Sequence, residues 1–139
     1  MSWLTDQINL DDIHRLVQQF YLKARHHPVI GHHFDDIADF SAHEKKITGF
    51  WWMVIGGNTL EIPGGPPRID MINKHMTLGI SAEDLTIWLG MFEQTLFDEL
   101  PMDVASAWQV KVHEIASHLK ALVIDGKAGG IRIKEPNKS

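Results

Sequence analysis

The sequence predicts an all-α fold, and three observations support that prediction. Apolar residues recur every three or four positions along most of the 139-residue chain, as they do on one face of a helix. Helix-capping residues and helix-ending Gly and Pro bound these stripes. No segment has the strict alternation of apolar and polar residues that marks a half-buried strand. We therefore expect one domain over residues 1–139, with its core in residues 9–124 and a frayed tail over 125–139.

Capping residues set the predicted bounds of the first two long helices. The first has Asn9 as its N-cap and ends near residue 27, because Pro28 disfavours helical backbone in the residue before it. Ser41 opens the second helix, with Glu44 three residues later completing a capping box. This helix is expected to end at Gly56-Gly57, since glycine readily adopts the backbone that terminates a helix.

The second half of the sequence begins with an irregular loop. Residues 56–67 contain four glycines and three prolines. Ser81 and Asp84 then form a second capping box at the start of a long helix, which Pro101 separates from a last helix. Between the loop and that box, a short helix is marked by three residues: Met71, His75 and Leu78.

Composition and charge exclude several classes of function. The chain is 44% apolar and 22% charged, with a formal net charge of −5, which argues against nucleic-acid and polybasic membrane binding. The absence of cysteine excludes disulfides, thiolate catalysis and iron–sulfur clusters. The N-terminus lacks a signal-peptide pattern, and no apolar run reaches the roughly 18 residues that span a bilayer. We expect a cytoplasmic protein.

Four polar-tipped residues lie in apolar stripes where a simple core would use Leu, Ile or Phe. They are Tyr21, His43, His75 and Trp88. A phenol, imidazole or indole placed there costs free energy unless something inside bonds to it. Each has an ordinary structural interpretation when considered alone, as a packing residue or a partly exposed histidine. Together they indicate a buried polar guest, and a haem iron with a diatomic ligand fits best.

The remaining histidines predict less. The pairs His26-His27 and His32-His33 lie in a loop and are expected to be solvated. A zinc or nickel site there would need further ligands such as Asp35 and Asp36. No phosphate-binding glycine loop, nucleophile elbow or paired metalloprotease histidines occur, and no catalytic residue is nominated. Three further histidines are expected to face water: His14, His113 and His118.

Five motifs, taken in order, resemble the truncated haemoglobins, most closely the group III branch. The resemblance covers residues 9–124 and is most specific in the stretches 43–51 and 74–92. Trp52, which makes a double tryptophan, and the loop 56–67 depart from the family pattern. The motifs are Phe20-Tyr21, Pro28-x-x-Gly31-x-x-Phe34, His43-x-x-x-Ile47-x-x-Phe50-Trp51, Lys74-His75 and Ile87-Trp88-Leu89-x-x-Phe92.

The resemblance implies a two-over-two helical sandwich around haem b. By that match, His75 is the proximal iron ligand, Tyr21 and Trp88 are distal hydrogen-bond donors, and His43 is the distal gate. Ile47 lines the same pocket. The other residues expected to contact the cofactor are Phe20, Phe34, Phe50, Met71, Leu78 and Lys74, with Lys74 or Arg68 pairing with a propionate.

The function implied is reversible binding of dioxygen, nitric oxide and carbon monoxide, for ligand chemistry or sensing more than for bulk oxygen transport. The alternative is a haem enzyme, a nitric oxide dioxygenase or a peroxidase-like protein, which would depend on an external reductase because the chain has no flavin or nicotinamide domain. A third interpretation, without haem, is an all-α interaction domain with surface histidines.

Overall fold

The computed structural model describes residues 3–66 and 79–121, and five α-helices lie within these two ranges. Two turns of 3₁₀-helix accompany them, Gly31–Phe34 and Thr59–Glu61. No strand occurs in either described range, so the predicted all-α class is confirmed. The α-helices are α1 (Leu4–Gln7), α2 (Leu10–Ala24), α3 (Phe40–Val54), α4 (Ala82–Glu99) and α5 (Met102–Leu119).

Helix α2 begins at the predicted N-cap, Asn9, and the structure adds a capping box that Asn9 forms with Asp12. The Asn9 side chain accepts from the Asp12 N–H at 2.9 Å, and the Asp12 carboxylate accepts from the Asn9 N–H at 3.0 Å. These two bonds satisfy N–H groups that a helix start otherwise leaves unpaired. The helix ends at Ala24, earlier than predicted, because the next residues close tighter turns, such as His27 N–H to the Ala24 carbonyl.

Helix α3 begins two residues earlier than the sequence indicated. Asp39, not Ser41, is the N-cap, and its carboxylate accepts from the Ala42 N–H at 3.1 Å. The prediction of Ser41 was therefore wrong, because two capping-type residues compete locally and either can bond to the N–H three positions later. The outcome places Phe40 in the first turn of α3, where it packs against Tyr21.

Helices α4 and α5 follow the predicted boundaries. Ser81 and Asp84 form the expected capping box, with bonds of 3.0 and 3.1 Å. Pro101 is the N-cap of α5, so it separates the two helices as expected. Helix α2 packs against α3 and α4, and α4 packs against α5. Two helix pairs thus face each other around a core that includes Phe20, Phe92 and Trp108.

Trp52, which departs from the family pattern, packs the end of α3 against the residues that follow it. Its indole Nε1–H donates to the Asn58 carbonyl at 3.0 Å, and its ring is 6% exposed. A Cβ at Gly57 would lie only 2.2 Å from that ring, so glycine allows the chain to pass directly against it. Trp51 packs in the core beside Phe92, so the double tryptophan joins the core to the following loop.

Among the described helices, none is long and apolar enough to cross a membrane. The predicted short helix with Met71, His75 and Leu78 lies outside the described residues, as do the tail 125–139 and the last part of the expected core.

Candidate functional site

A cavity of about 100 Å³ lies between the two helix pairs. Helices α2 and α3 supply one side, and α4 and α5 supply the other. All of its lining residues are aliphatic or aromatic, and three of them carry a polar group: Tyr21, Trp51 and Trp88. The residues that line it are Val17, Phe20, Tyr21, Ile47, Phe50, Trp51, Trp88, Phe92, Ile115 and Leu119.

Tyr21 and His43 form a hydrogen-bonded pair beside this cavity. The Tyr21 hydroxyl and Nε2 of His43 lie 3.0 Å apart, although the residues are 22 positions apart in the chain. The two rings meet edge to face at 5.3 Å. Tyr21 is only 7% exposed, so its hydroxyl depends on protein or ligand partners more than on bulk water.

The environment of Tyr21 keeps its phenol protonated. Burial raises the pKa of Tyr21 well above its ordinary value of 10.0, and the negative charge of Glu44 raises it further. The hydroxyl therefore retains a proton that it can donate throughout the physiological pH range. Which atom receives that proton depends on the tautomer of His43.

Trp88 lies on the opposite wall within an aromatic cluster. Its ring stacks on Phe92 at 5.4 Å and meets the edge of Phe20 at 6.0 Å. Phe20 in turn contacts Tyr21 at 5.2 Å. Trp88 and Tyr21 are thus held at the same cavity by a common neighbour, and an indole N–H can only donate.

The structure brings together most of the predicted pocket residues. Ile47 and Phe50 line the cavity with Phe20, Tyr21 and Trp88. Phe34 meets the Tyr21 ring edge to face at 5.5 Å and is not among the residues that line the cavity. The remaining predicted residues lie outside the described ranges: Arg68, Met71, Lys74, His75 and Leu78.

Five cavity residues were not nominated from the sequence, and three have a simple signal. Val17, Trp51 and Phe92 each lie four residues from a nominated residue on the same helix, which puts them on the same face. Ile115 and Leu119 belong to the last helix, where the sequence pattern specified only a core stripe. Helical spacing around each nominated residue would have found the first three.

Phe40 is a further neighbour that the sequence did not indicate. Its ring meets Tyr21 at 5.5 Å and His43 at 5.8 Å, so it packs against both members of the hydrogen-bonded pair. The guanidinium of Arg25 lies 3.8 Å from the centre of the Phe40 ring, in a cation–π contact on its other side.

His33 differs from the expectation that its loop is solvated. Its Nε2 lies 3.0 Å from Oδ2 of Asp84, and the two side chains are only 9% and 14% exposed. Burial raises the pKa of Asp84, but hydrogen bonds from Ser81 and His33, with the charge of His33, outweigh it and hold that pKa below 3.8. In residues 3–66 and 79–121, no three His, Asp or Glu side chains are arranged to hold a metal ion.

The helix arrangement is shared with a solved structure, the group III truncated hemoglobin from Campylobacter jejuni. The two match with a TM-score of 0.73 over 84% of this chain and 91% of that chain, at 25% sequence identity. This chain has the fold of a truncated haemoglobin. The resemblance to group III that its motifs predict is confirmed. The sequence matches no family model, and a search of curated proteins finds no match.

Proposed function

We propose that this chain is a haem-binding globin that reversibly binds dioxygen, nitric oxide and carbon monoxide in the cytoplasm. One observation carries the proposal: the Tyr21–His43 pair borders an apolar cavity whose opposite wall holds Trp88. A cavity that only served packing would not need a buried phenol that bonds to an imidazole. The globin-like fold supports the same conclusion.

The residues present fit a haem in their chemistry. Apolar walls suit a porphyrin, and burying about 400 Å² of it contributes on the order of 10 kcal/mol at about 25 cal/mol per Å². The cavity of about 100 Å³ is large enough for a diatomic molecule and smaller than a porphyrin. When bound, haem b would supply an iron that takes up diatomic gases. We propose His75 as the proximal ligand of that iron.

The Tyr21–His43 pair can direct a proton in two ways. With the Nδ1–H tautomer of His43, the phenol donates its proton to the unprotonated Nε2, so that proton is not available to a ligand. With the Nε2–H tautomer, the imidazole donates to the phenolic oxygen, and the phenol proton is available to a ligand in the cavity. A change of tautomer at His43 therefore switches Tyr21 toward the ligand without breaking the pair. This adds a chemical role to the gate that the resemblance implies for His43.

Two donors favour ligand chemistry or sensing over bulk transport. A hydrogen bond to a charged partner contributes about 1.5–3 kcal/mol, and dioxygen held in such a site takes on negative charge. At about 1.4 kcal/mol per decade, Tyr21 and Trp88 together slow ligand release by roughly two to four orders of magnitude. Slow release suits a protein that holds dioxygen for reaction and hinders rapid delivery.

The Tyr21–His43 pair favours one alternative function, that of a haem enzyme of the nitric oxide dioxygenase or peroxidase-like class. Imidazole and phenol in direct hydrogen-bond contact can move a proton during turnover. Such an enzyme would take electrons from a separate reductase. Sustained nitric oxide consumption in the presence of a reductant and cell extract would favour the enzyme, and a single stoichiometric reaction would favour the binding protein.

Absorption spectra test the proposal directly. The purified protein, expressed with adequate haem, is measured oxidised, reduced, and reduced under carbon monoxide. We expect a Soret band that shifts at each step, and its stable retention should be lost in His75→Ala but not in the surface control His118→Ala, whose residue is exposed. No Soret band in the wild-type protein, even after added haemin, would refute the proposal and leave the interaction-domain interpretation.

A further inference from the structure

The hydrogen bond between His33 and Asp84 joins two parts of the molecule that are 51 residues apart in the chain. His33 lies in the 3₁₀ turn between α2 and α3, and Asp84 lies in the first turn of α4. Both side chains are largely enclosed, unlike the neighbouring His32, whose ring lies 4.0 Å from that of His33. An enclosed polar bond of this kind is strengthened by its low dielectric surroundings.

Each partner lies close in sequence to a residue that contacts or carries one of the proposed distal donors, Tyr21 and Trp88. His33 precedes Phe34, whose ring packs against Tyr21 at 5.5 Å. Asp84 precedes Trp88 by four residues, so the two share one face of α4, one turn apart. The bond therefore connects the support of Tyr21 to the helix that carries Trp88.

The bond joins the turn between α2 and α3 to the start of α4, which belongs to the other helix pair. Helix α2 packs against α4, and the cavity is lined by Tyr21 of α2, Ile47 of α3 and Trp88 of α4. If the pairs separate to admit a porphyrin, a link between the α2–α3 turn and the start of α4 limits how far α4 can shift or rotate. Trp88 is the side chain whose direction such a rotation would change.

We propose that His33 is a positioning residue that, through Asp84, fixes the indole of Trp88 opposite Tyr21 in the ligand cavity. This inference rests on the proposed function, since it concerns the direction of a donor toward a bound ligand. Asp84 also caps α4 through Ser81, so substitutions at Asp84 would alter the helix start as well as the link. His33 is the partner that can be changed without removing that cap.

The test compares three variants at His33 in the haem-loaded protein. His33→Phe keeps a ring and removes the donor, His33→Asn keeps a donor that is too short to reach Asp84, and His33→Gln restores a donor of similar reach. The matched control is His113→Phe, because His113 bonds to Glu93 on the same helix α4 at 2.6 Å but is half exposed and lies outside the cavity lining.

Two readouts report the direction of the donors rather than stability. The infrared stretching band of bound carbon monoxide responds to the field of nearby N–H and O–H groups, and the dioxygen dissociation rate responds to their hydrogen bonds. We expect His33→Phe and His33→Asn to shift or broaden the band and raise the dissociation rate about three- to tenfold, a fraction of the effect of losing a full charge-assisted bond. His33→Gln should return both toward wild type, and His113→Phe should leave both unchanged.

The outcomes separate this inference from the proposed function. If His33→Phe and His33→Asn lower the melting temperature but keep the wild-type band and rate, His33 is only a structural link and the inference is wrong, although the globin function stands. If His33→Phe fails to fold, the comparison of His33→Asn with His33→Gln decides the question in the same way. Failure of the wild-type protein to bind haem or carbon monoxide overturns the proposed function and this inference together.

Discussion

Replacing Tyr21 by phenylalanine isolates the contribution of one hydroxyl group to ligand retention. The Tyr21 ring is held by edge contacts with Phe20, Phe34 and Phe40 at 5.2–5.5 Å. Phenylalanine keeps those contacts, so the substitution removes the hydrogen bond without opening a cavity at the ring. The expected result is faster dissociation of dioxygen, with little change in fold.

The size of the effect follows from the partner that Tyr21 already has. If the phenol must leave Nε2 of His43 to bond the ligand, it gains a charge-assisted bond of about 1.5–3 kcal/mol and loses an ordinary bond of about 0.5–1.5 kcal/mol. A difference of about 1–2 kcal/mol accelerates release roughly 5- to 30-fold. If His43 instead donates to the phenolic oxygen, the full bond is lost and the acceleration reaches roughly 10- to 150-fold.

The assay is displacement of dioxygen by carbon monoxide from the reduced protein in a stopped-flow instrument. Trp52→Phe is the control, because it also removes a buried N–H donor but lies outside the cavity lining. It should lower stability and leave the rate unchanged. A Tyr21→Phe rate within twofold of wild type would refute the assignment of Tyr21 as a distal donor.

His43→Leu then distinguishes the two directions of the proton. If the imidazole competes with the ligand for the phenol, its removal frees Tyr21 and slows dioxygen release. If the imidazole donates to the phenolic oxygen, its removal weakens the alignment of Tyr21 and speeds release. Combined with Tyr21→Phe in a double-mutant cycle, the variant measures how strongly the two residues act as a unit.

Three further predictions concern titration and packing. Because Tyr21 is the only tyrosine, the ultraviolet absorbance of phenolate reports on this residue alone. The phenolate band should not appear near pH 10 in the folded protein, because burial raises the pKa of Tyr21. The stability that depends on the neutral phenol is complete below pH 10.0 and is lost at higher pH. The pKa of Asp84 is lowered in the folded protein, so its carboxylate stabilises the fold above pH 3.8. This stabilisation is lost as pH falls through the lowered pKa, and Asp84→Asn should therefore flatten the acid limb of unfolding followed by circular dichroism. Gly31→Ala should lower the free energy of unfolding by about 1–3 kcal/mol, because its Cβ would lie 2.6 Å from the Arg25 carbonyl oxygen, whereas Gly90→Ala meets no described atom within 4 Å and should be neutral or stabilising by thermal melting. A phenolate band near pH 10, an unchanged acid limb or equal melting of the two alanine variants would each contradict its prediction.

Local signals in the sequence determined the helices well where one capping arrangement was available. The N-cap at Asn9 and the capping box at Ser81 form as predicted, because their bonds join residues three positions apart and need no tertiary partner. The start of α3 was predicted wrongly because Asp39 and Ser41 both suit an N-cap. Which of them caps the helix decides whether Phe40 reaches Tyr21, and local energies alone do not separate the two.

The sequence by itself determined the helical class and the resemblance to group III truncated haemoglobins. It also nominated Tyr21, Ile47, Phe50 and Trp88 for the pocket, since these predictions depend on periodicity and on the order of residues along the chain. Only the tertiary structure decided that Tyr21 bonds to His43 and that His33 bonds to Asp84. The physical reason is that both bonds join residues far apart in sequence, so they exist only after the helix pairs have packed. Helical spacing identifies the face on which a side chain lies, and packing selects the atom that it meets.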